Sequence, residues 1–102
     1  MFKIGQTEYE LHYNLKRVDL LERALGTSVM AMIRQSQGLI TLSQLKTCLM
    51  YGLRKKGADV MMELVATEPL IDKIFEKGDY EELCKAVIVQ LSKDCHFLFP
   101  SD

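Results

Sequence analysis

The segment of residues 40–57 carries the clearest helix signals in the chain, and it lies in the middle of the sequence. Thr41 is placed to act as an N-cap, and Gln44, three residues later, completes a capping box. Gly57 follows three consecutive basic residues, so we expect the helix to end there, with cations at the end that the helix dipole favours. Apolar residues recur at helical spacing along one face: Leu42, Leu45, Cys48, Leu49 and Leu53. The pattern predicts a central helix around which a small core is built.

A period of two at the N-terminus predicts two short strands. Apolar and polar residues alternate over residues 2–4 and again over residues 8–13. Residues 5–7 lie between the two runs and favour a turn, so we expect residues 1–13 to form a β-hairpin. Because an isolated hairpin is only marginally stable in water, this hairpin should pack on the helices or pair with another chain.

Cap residues and apolar spacing predict the remaining helices. Asn14 is a good N-cap for a helix over residues 15–25, and a glycine follows that helix. Thr27 or Ser28 then caps a short helical segment over residues 29–35.

Cap residues and apolar spacing also predict helices in the second half of the chain. Asp59 is placed to cap a helix that begins at Val60, and Pro69 should break or restart it because proline fits the first turn of a helix and not its interior. Asp79 with Glu82 forms another cap pattern before a strongly amphipathic helix. The predicted fold class is therefore mainly α, a small helical domain of about five helices preceded by a short N-terminal β-hairpin.

Length and charge set the outer bounds. The 102 residues suit a single domain, with a hairpin (1–13), a helical core (14–93) and an apolar C-terminal tail (94–102). A formal net charge of −1 offers no general attraction to nucleic acid or to an anionic membrane. Five residues at the centres of the two clearest apolar stripes should be buried: Leu45, Leu49, Leu83, Val87 and Ile88.

The three cysteines, an odd number, argue against a disulfide framework, so we expect free thiols and a reducing cytoplasm. Cys95 and His96 have no second ligand pair at zinc-site spacing, so we expect no metal and no other cofactor. The N-terminus lacks the pattern of a secretory signal, and no apolar run is long enough to span a bilayer. These observations predict a soluble cytoplasmic protein without a membrane partner.

Signals for an enzyme are weak. His12 and His96 have no neighbouring nucleophile pattern, and the adjacent carboxylates at 81 and 82 do not face each other on a helix. The basic run at residues 54–56 would need further cations or aromatic platforms around it to bind nucleic acid. A small helical DNA-binding regulator, with residues 41–56 as its recognition helix, is the alternative to a protein-binding function.

The order of the parts resembles a known family. A strand of the type FKIG and a second of the type EYELHYN lead into the helix LKRVDLLERALG, and LSQLKTCLMYGLRKKGADVMMELV and EELCKAVIVQLSK follow. Over nearly the whole chain, this pattern is similar to the small tail assembly chaperones of long-tailed bacteriophages and prophages. The resemblance implies a non-enzymatic, oligomeric protein of the host-cell cytoplasm that binds the tape-measure protein, keeps it soluble and helps recruit tail-tube subunits.

Such a partner needs an adaptable apolar surface. Methionine is flexible and polarizable, so a methionine-rich surface can repack around varied apolar side chains. The six methionines and the apolar tail therefore predict two contact patches. The first consists of Met30, Met32, Ile33, Met61 and Met62, and the second is in the tail at Phe97 and Phe99, on either side of Leu98.

Overall fold

The computed structural model of the chain describes residues 2–99. Within that range it has five α-helices, a three-stranded sheet and one 3₁₀ turn. The elements, in order, are β1 (Phe2–Ile4), β2 (Thr7–Leu11), α1 (Leu15–Leu25), α2 (Val29–Ser36), α3 (Leu42–Gly52), β3 (Leu53–Lys55), α4 (Leu64–Lys77), α5 (Tyr80–Asp94) and the turn His96–Leu98. The predicted fold class, mainly α with an N-terminal hairpin, is confirmed. Met1 of the predicted hairpin and residues 100–102 of the predicted tail lie outside the described residues.

The caps of the first three helices form as the sequence predicts. The side chains of Asn14 and Ser28 accept hydrogen bonds from backbone N–H groups in the first turns of α1 and α2. Thr41 and Gln44 form the reciprocal capping box at the start of α3. Since each cap satisfies donors that a helix leaves unpaired, these residues fix where α1, α2 and α3 begin.

The third strand corrects the prediction that the central helix continues to Gly57. The helix ends at Gly52, Leu53 becomes extended, and residues 53–55 pair antiparallel with β2. The carbonyl of Gly52 accepts a hydrogen bond from His12 N–H at 2.8 Å, which starts the pairing. A glycine is required here because a Cβ would lie 2.4 Å from Cζ of Tyr13, whose ring fills that space.

The start of α4 is also different from the prediction. Asp59 caps no helix, and α4 begins at Leu64 after an irregular segment. Pro69 neither breaks nor restarts the helix but lies inside it. Its missing N–H would have bonded the carbonyl of Val65. Val65 itself is 75% exposed, so this part of α4 borders solvent.

Helix α3 is the centre of the core, packing against α1, α4, α5 and β2. Leu45, Leu49, Leu83 and Val87 are buried as predicted, whereas Ile88 is only half-buried. Leu42, which the apolar stripe of the central helix places inward, is 60% exposed, and Leu15 at the start of α1 is 70% exposed. Each is the first residue of its helix, where the neighbouring turn that would cover it is absent.

Candidate protein-binding site

An open groove lies between α1 and the irregular segment that precedes α4. We call it the α1 groove; its volume is about 470 Å³. Its lining combines apolar side chains with two cations and one carboxylate: Asn14, Lys16, Arg17, Leu20, Met61, Glu63 and Leu64. The groove is therefore an apolar depression with a charged rim, the arrangement that receives one face of an amphipathic helix.

Arg17 holds this groove together. Its Nη2 donates a hydrogen bond to the carbonyl of Met62 at 2.5 Å, across 45 positions of sequence. The backbone N–H of the same residue donates to Oδ1 of Asn14 and so belongs to the cap of α1. Because the segment 58–63 has no regular secondary structure, this guanidinium contact sets how close the segment lies to α1.

Apolar side chains on both sides of the groove remain in contact with solvent. Leu20 on α1 is 37% exposed. Val60 and Val65, which stand next in sequence to the lining residues Met61 and Leu64, are each 75% exposed. Full burial of one such aliphatic side chain releases about 1.5–3 kcal/mol, so a partner that covers this surface gains free energy from area that the chain leaves uncovered.

The residues of the predicted methionine patch lie in three separate parts of the structure. Met32 is 1% exposed and its sulfur lies 4.0 Å from Sγ of Cys48, so it belongs to the core. The prediction that Met32 is a contact residue is therefore wrong. Met30 and Ile33 are half-buried on α2, and no α2 residue is among those that line the α1 groove. Met61 lines the groove, and the half-buried Met62 contributes its carbonyl. The patch therefore divides between the core, α2 and the groove.

The two aromatic residues predicted in the tail differ in exposure. Phe97 is 60% exposed in the 3₁₀ turn, whereas Phe99 is half-buried and packs against the core. Cys95, just before them, is fully buried and its thiol donates to the carbonyl of Tyr13 at 3.4 Å. Through residue 99 the tail thus docks on the domain, with His96 and Phe97 as its exposed residues.

Of the residues that line the groove, only Met61 was among the predicted contacts, and Leu20 is the apolar residue of α1 that the prediction left out. Val18 and Leu21 are the buried positions of α1, and Leu20 lies about 100° from Leu21 around the helix. The sequence did contain a signal for it. Leu20 is a large aliphatic residue outside the buried stripe of α1, on a side of the helix where the other residues are mostly charged. It marks an apolar side chain that the chain itself does not cover.

A histidine, a carboxylate and a buried thiol lie near one another where β2 meets the end of α5. Nδ1 of His12 lies 3.4 Å from Oδ2 of Asp94, and Cys95 is the next residue along the chain. Burial raises the pKa of the Cys95 thiol, so the reactive thiolate is disfavoured at neutral pH. Over residues 2–99, no three His, Cys, Asp or Glu side chains come together as metal ligands.

The basic run is largely neutralised by the neighbouring strand. Nε of Arg54 lies 2.6 Å from Glu10, and Nζ of Lys56 lies 3.7 Å from Glu8. The hydrogen bond from Arg54 lowers the pKa of the Glu10 carboxyl, which keeps that partner ionised. Arg54 lies on β3 and Lys56 lies in the turn that follows it, so neither is on a recognition helix. The geometry therefore adds nothing in favour of DNA binding.

No protein-family model, curated protein or solved structure was found to match the chain. Among the helices of residues 2–99, none combines the length and the apolar character needed to cross a bilayer.

Proposed function

We propose that this chain is a non-enzymatic phage tail assembly chaperone of the host-cell cytoplasm. It self-associates, binds amphipathic helical segments of the tape-measure protein, keeps that protein soluble and helps recruit tail-tube subunits. The α1 groove is its contact site for those segments. The observation that carries this proposal is the uncovered apolar groove with the flexible side chain of Met61 in its lining.

Three features support a helical, varied partner. The groove is open along one side, and its apolar lining lets one helix face lie against it. Lys16, Arg17 and Glu63 put both signs of charge on the rim, so segments of different charge pattern can be accommodated. The resemblance to the tail assembly chaperones, in the order of the elements, then suggests the tape-measure protein as the partner.

Co-expression tests the proposal. An insoluble, helical fragment of the tape-measure protein from the same genome is expressed with and without this chain. The wild-type chain should keep the fragment soluble and co-purify with it in several copies. Leu20→Asp and Met61→Asp should abolish both effects, because a carboxylate in the groove opposes burial of an apolar helix face.

Val89→Asp is the matched control. Val89 is 42% exposed on α5, similar to Leu20, but it does not line the groove. This variant should behave like the wild type. Failure of the wild-type chain to solubilise or co-purify the fragment would refute the function. Normal activity of Leu20→Asp and Met61→Asp, together with loss in Met30→Asp, would keep the function and transfer the contact site to α2.

A further inference from the structure

One edge of the sheet has unpaired backbone groups. The strand order is β1-β2-β3, and Lys3 in β1 lies opposite Glu8 in β2. The carbonyl of Glu8 accepts a hydrogen bond from Lys56 N–H at 3.0 Å, so the backbone of Glu8 is directed toward β3. In an antiparallel pair, residues opposite each other either exchange hydrogen bonds or both point away. The N–H and C=O of Lys3 therefore point outward from the free edge of β1.

The opposite edge, at β3, is partly occupied by its own chain. The N–H of Leu53 donates to the carbonyl of Leu49 at the end of α3. The carbonyl of Lys55 accepts a hydrogen bond from Ala58 N–H at 3.0 Å. Over residues 2–99, no hydrogen bond of this kind engages the outward groups of Lys3. The β1 edge is therefore the one open to an added strand.

A cleft of about 240 Å³ lies beside this edge, between β1 and the C-terminal half of α4; we call it the edge cleft. Its apolar walls and floor are formed by Phe2, Ile4, Ile74 and Leu83. Side chains alternate along a strand, so Lys3 borders the cleft with its backbone, and its side chain projects to the other face. The volume is below the range usual for small-molecule sites and suits one large apolar side chain of a peptide.

Two lysines line the same cleft. Lys73 and Lys77 are one turn apart on α4, and both are exposed. Among the described residues, no carboxylate forms an ion pair with either of them. The end of α4 contributes a partial negative charge equivalent to about half an elementary charge, which two full positive charges outweigh. The cleft therefore favours a carboxylate.

We propose that the edge cleft binds an extended, acidic peptide segment as a fourth strand beside β1. The segment exchanges two backbone hydrogen bonds with Lys3, places one apolar side chain between β1 and α4, and sets carboxylates near Lys73 and Lys77. A second copy of β1 is a poor occupant. Lys3 of one copy would lie directly opposite Lys3 of the other, and like charges in that position are destabilising. This site is separate from the α1 groove and does not depend on the proposed chaperone function.

Fluorescence anisotropy with three labelled peptides tests the proposal on the full chain. The first is a blocked octapeptide with one central phenylalanine, a glutamate two residues before it and another two residues after it, so that these three side chains share the face toward the cleft, and threonine at the other positions. The second has lysine in place of every glutamate. The third keeps the acidic sequence but carries N-methyl groups on alternate amides along the edge that pairs with β1, so it cannot donate to that strand. Only the first should bind, and added salt should weaken its binding.

Variants of the chain locate the site. Lys73→Gln and Lys77→Gln should each weaken binding about fivefold, the size of one exposed ion pair at its upper range. Lys46→Gln, on the exposed face of α3, is the control and should change nothing. Leu20→Asp in the α1 groove should also leave binding unchanged, which separates this site from the proposed chaperone site.

Lys3→Pro removes the outward N–H, and Lys3→Gln is its control because it keeps that donor. Proline is tolerated on an edge strand where its N–H faces outward, so β1 should still pair with β2. Binding should be lost in Lys3→Pro and kept in Lys3→Gln. If Lys3→Pro does not fold, the N-methylated peptide tests the same hydrogen bond from the other side. Equal binding of the acidic and basic peptides, unchanged binding of the N-methylated peptide, or no binding of the acidic peptide would each overturn the proposal.

Discussion

The thiol of Cys48 lies at the centre of the core, fully buried on α3. Desolvation is the main cause that raises its pKa from 9.0 to about 12. Burial also raises the pKa of Cys84 and of Cys95. All three cysteines are free. At the scale of single residues, then, burial turns a reactive group into a small apolar one, because the charged form is poorly solvated in the core.

This burial makes stability depend on alkaline pH. The folded-state pKa of Cys48 is raised, so its contribution is complete below pH 9 and is lost as the pH rises toward about 12. In that window the unfolded chain releases the proton and the folded chain keeps it, which costs about 1.4 kcal/mol of unfolding free energy per pH unit. Urea melts at pH values on both sides of 9 measure the slope.

Cys48→Ala is the comparison that assigns this slope to one thiol. The variant leaves a small cavity and is less stable at every pH, but it lacks the titration of residue 48. Its unfolding free energy should fall less steeply above pH 9 than that of the wild type, since Cys84 and Cys95 titrate in both. If the unfolding free energies of the two proteins fell in parallel above pH 9, Cys48 would not stay protonated in the folded state.

Helix α3 and helix α5 begin with similar cap sequences but different contacts. Thr41 accepts a hydrogen bond from Gln44 N–H at 3.2 Å, and the Gln44 side chain accepts one from Thr41 N–H at 3.3 Å. Asp79 makes no side-chain cap hydrogen bond, although Glu82 stands three residues later, as in a capping box. The sequence pattern at Asp79 thus predicts the place where a helix starts but not the bonds of its cap.

Thr41→Ala should lower the unfolding free energy by about 1 kcal/mol, because it removes a formed cap. Asp79→Ala should cost less, since only the attraction between its charge and the helix dipole is lost, about 0.3–1 kcal/mol. Denaturant melts at low and high salt distinguish the two, because salt screens the dipole term and not the cap. A larger loss in Asp79→Ala than in Thr41→Ala would contradict the observed cap geometry.

Elements whose signals are local were predictable from the sequence, and those that depend on distant contacts were not. Asn14, Ser28 and Thr41 each cap a helix through a neighbour three residues away. By contrast, β3 pairs with β2, more than 40 residues earlier in the chain, and Gly52 just before it leaves room for the ring of Tyr13. The helical spacing of Leu53 fits a buried position in either structure, so periodicity alone could not decide between them.

The candidate site follows the same rule. Met61 could be selected from composition, and it lines the α1 groove. Met32 was selected on the same grounds but packs in the core, because composition does not tell which face of α2 is covered. The edge cleft requires that α4 lie beside β1, some 70 residues away along the chain. No local pattern in β1 or α4 contains that information.

At the scale of the whole molecule, the distribution of charge separates the surfaces. On the outer face of the sheet, Glu8 and Glu10 pair with Lys56 and Arg54. The edge cleft has two lysines without an ion-pair partner among residues 2–99, and the α1 groove carries both signs of charge on its rim. The edge cleft therefore presents positive charge to a partner, whereas the α1 groove presents both signs.

The two ends of the described fold are joined through Asp94. Its Oδ2 accepts hydrogen bonds from Tyr13 N–H at 2.9 Å and from Nε2 of Gln90 at 3.0 Å, and it lies 3.4 Å from Nδ1 of His12. The contact with Tyr13 spans 81 positions of sequence. A carboxylate at the C-terminal end of α5 is opposed by the helix dipole, at about 0.3–1 kcal/mol. A hydrogen bond to a charged group contributes about 1.5–3 kcal/mol, so we expect the contacts of Asp94 to stabilise the fold overall.

Asp94→Ala should therefore lower the unfolding free energy by about 1–2 kcal/mol, the hydrogen-bond loss less the relieved dipole term. Asp72→Ala, at an exposed position of α4, is the control and should change stability by less than about 0.5 kcal/mol. Hydrogen exchange adds a local test, because the amide of Tyr13 should lose protection in Asp94→Ala more than amides in the middle of α3. If Asp94→Ala is as stable as the wild type, the unfavourable interaction of Asp94 with the helix dipole cancels the gain from its hydrogen bonds. The C-terminal turn is then held by the buried thiol of Cys95 and by the packing of Phe99.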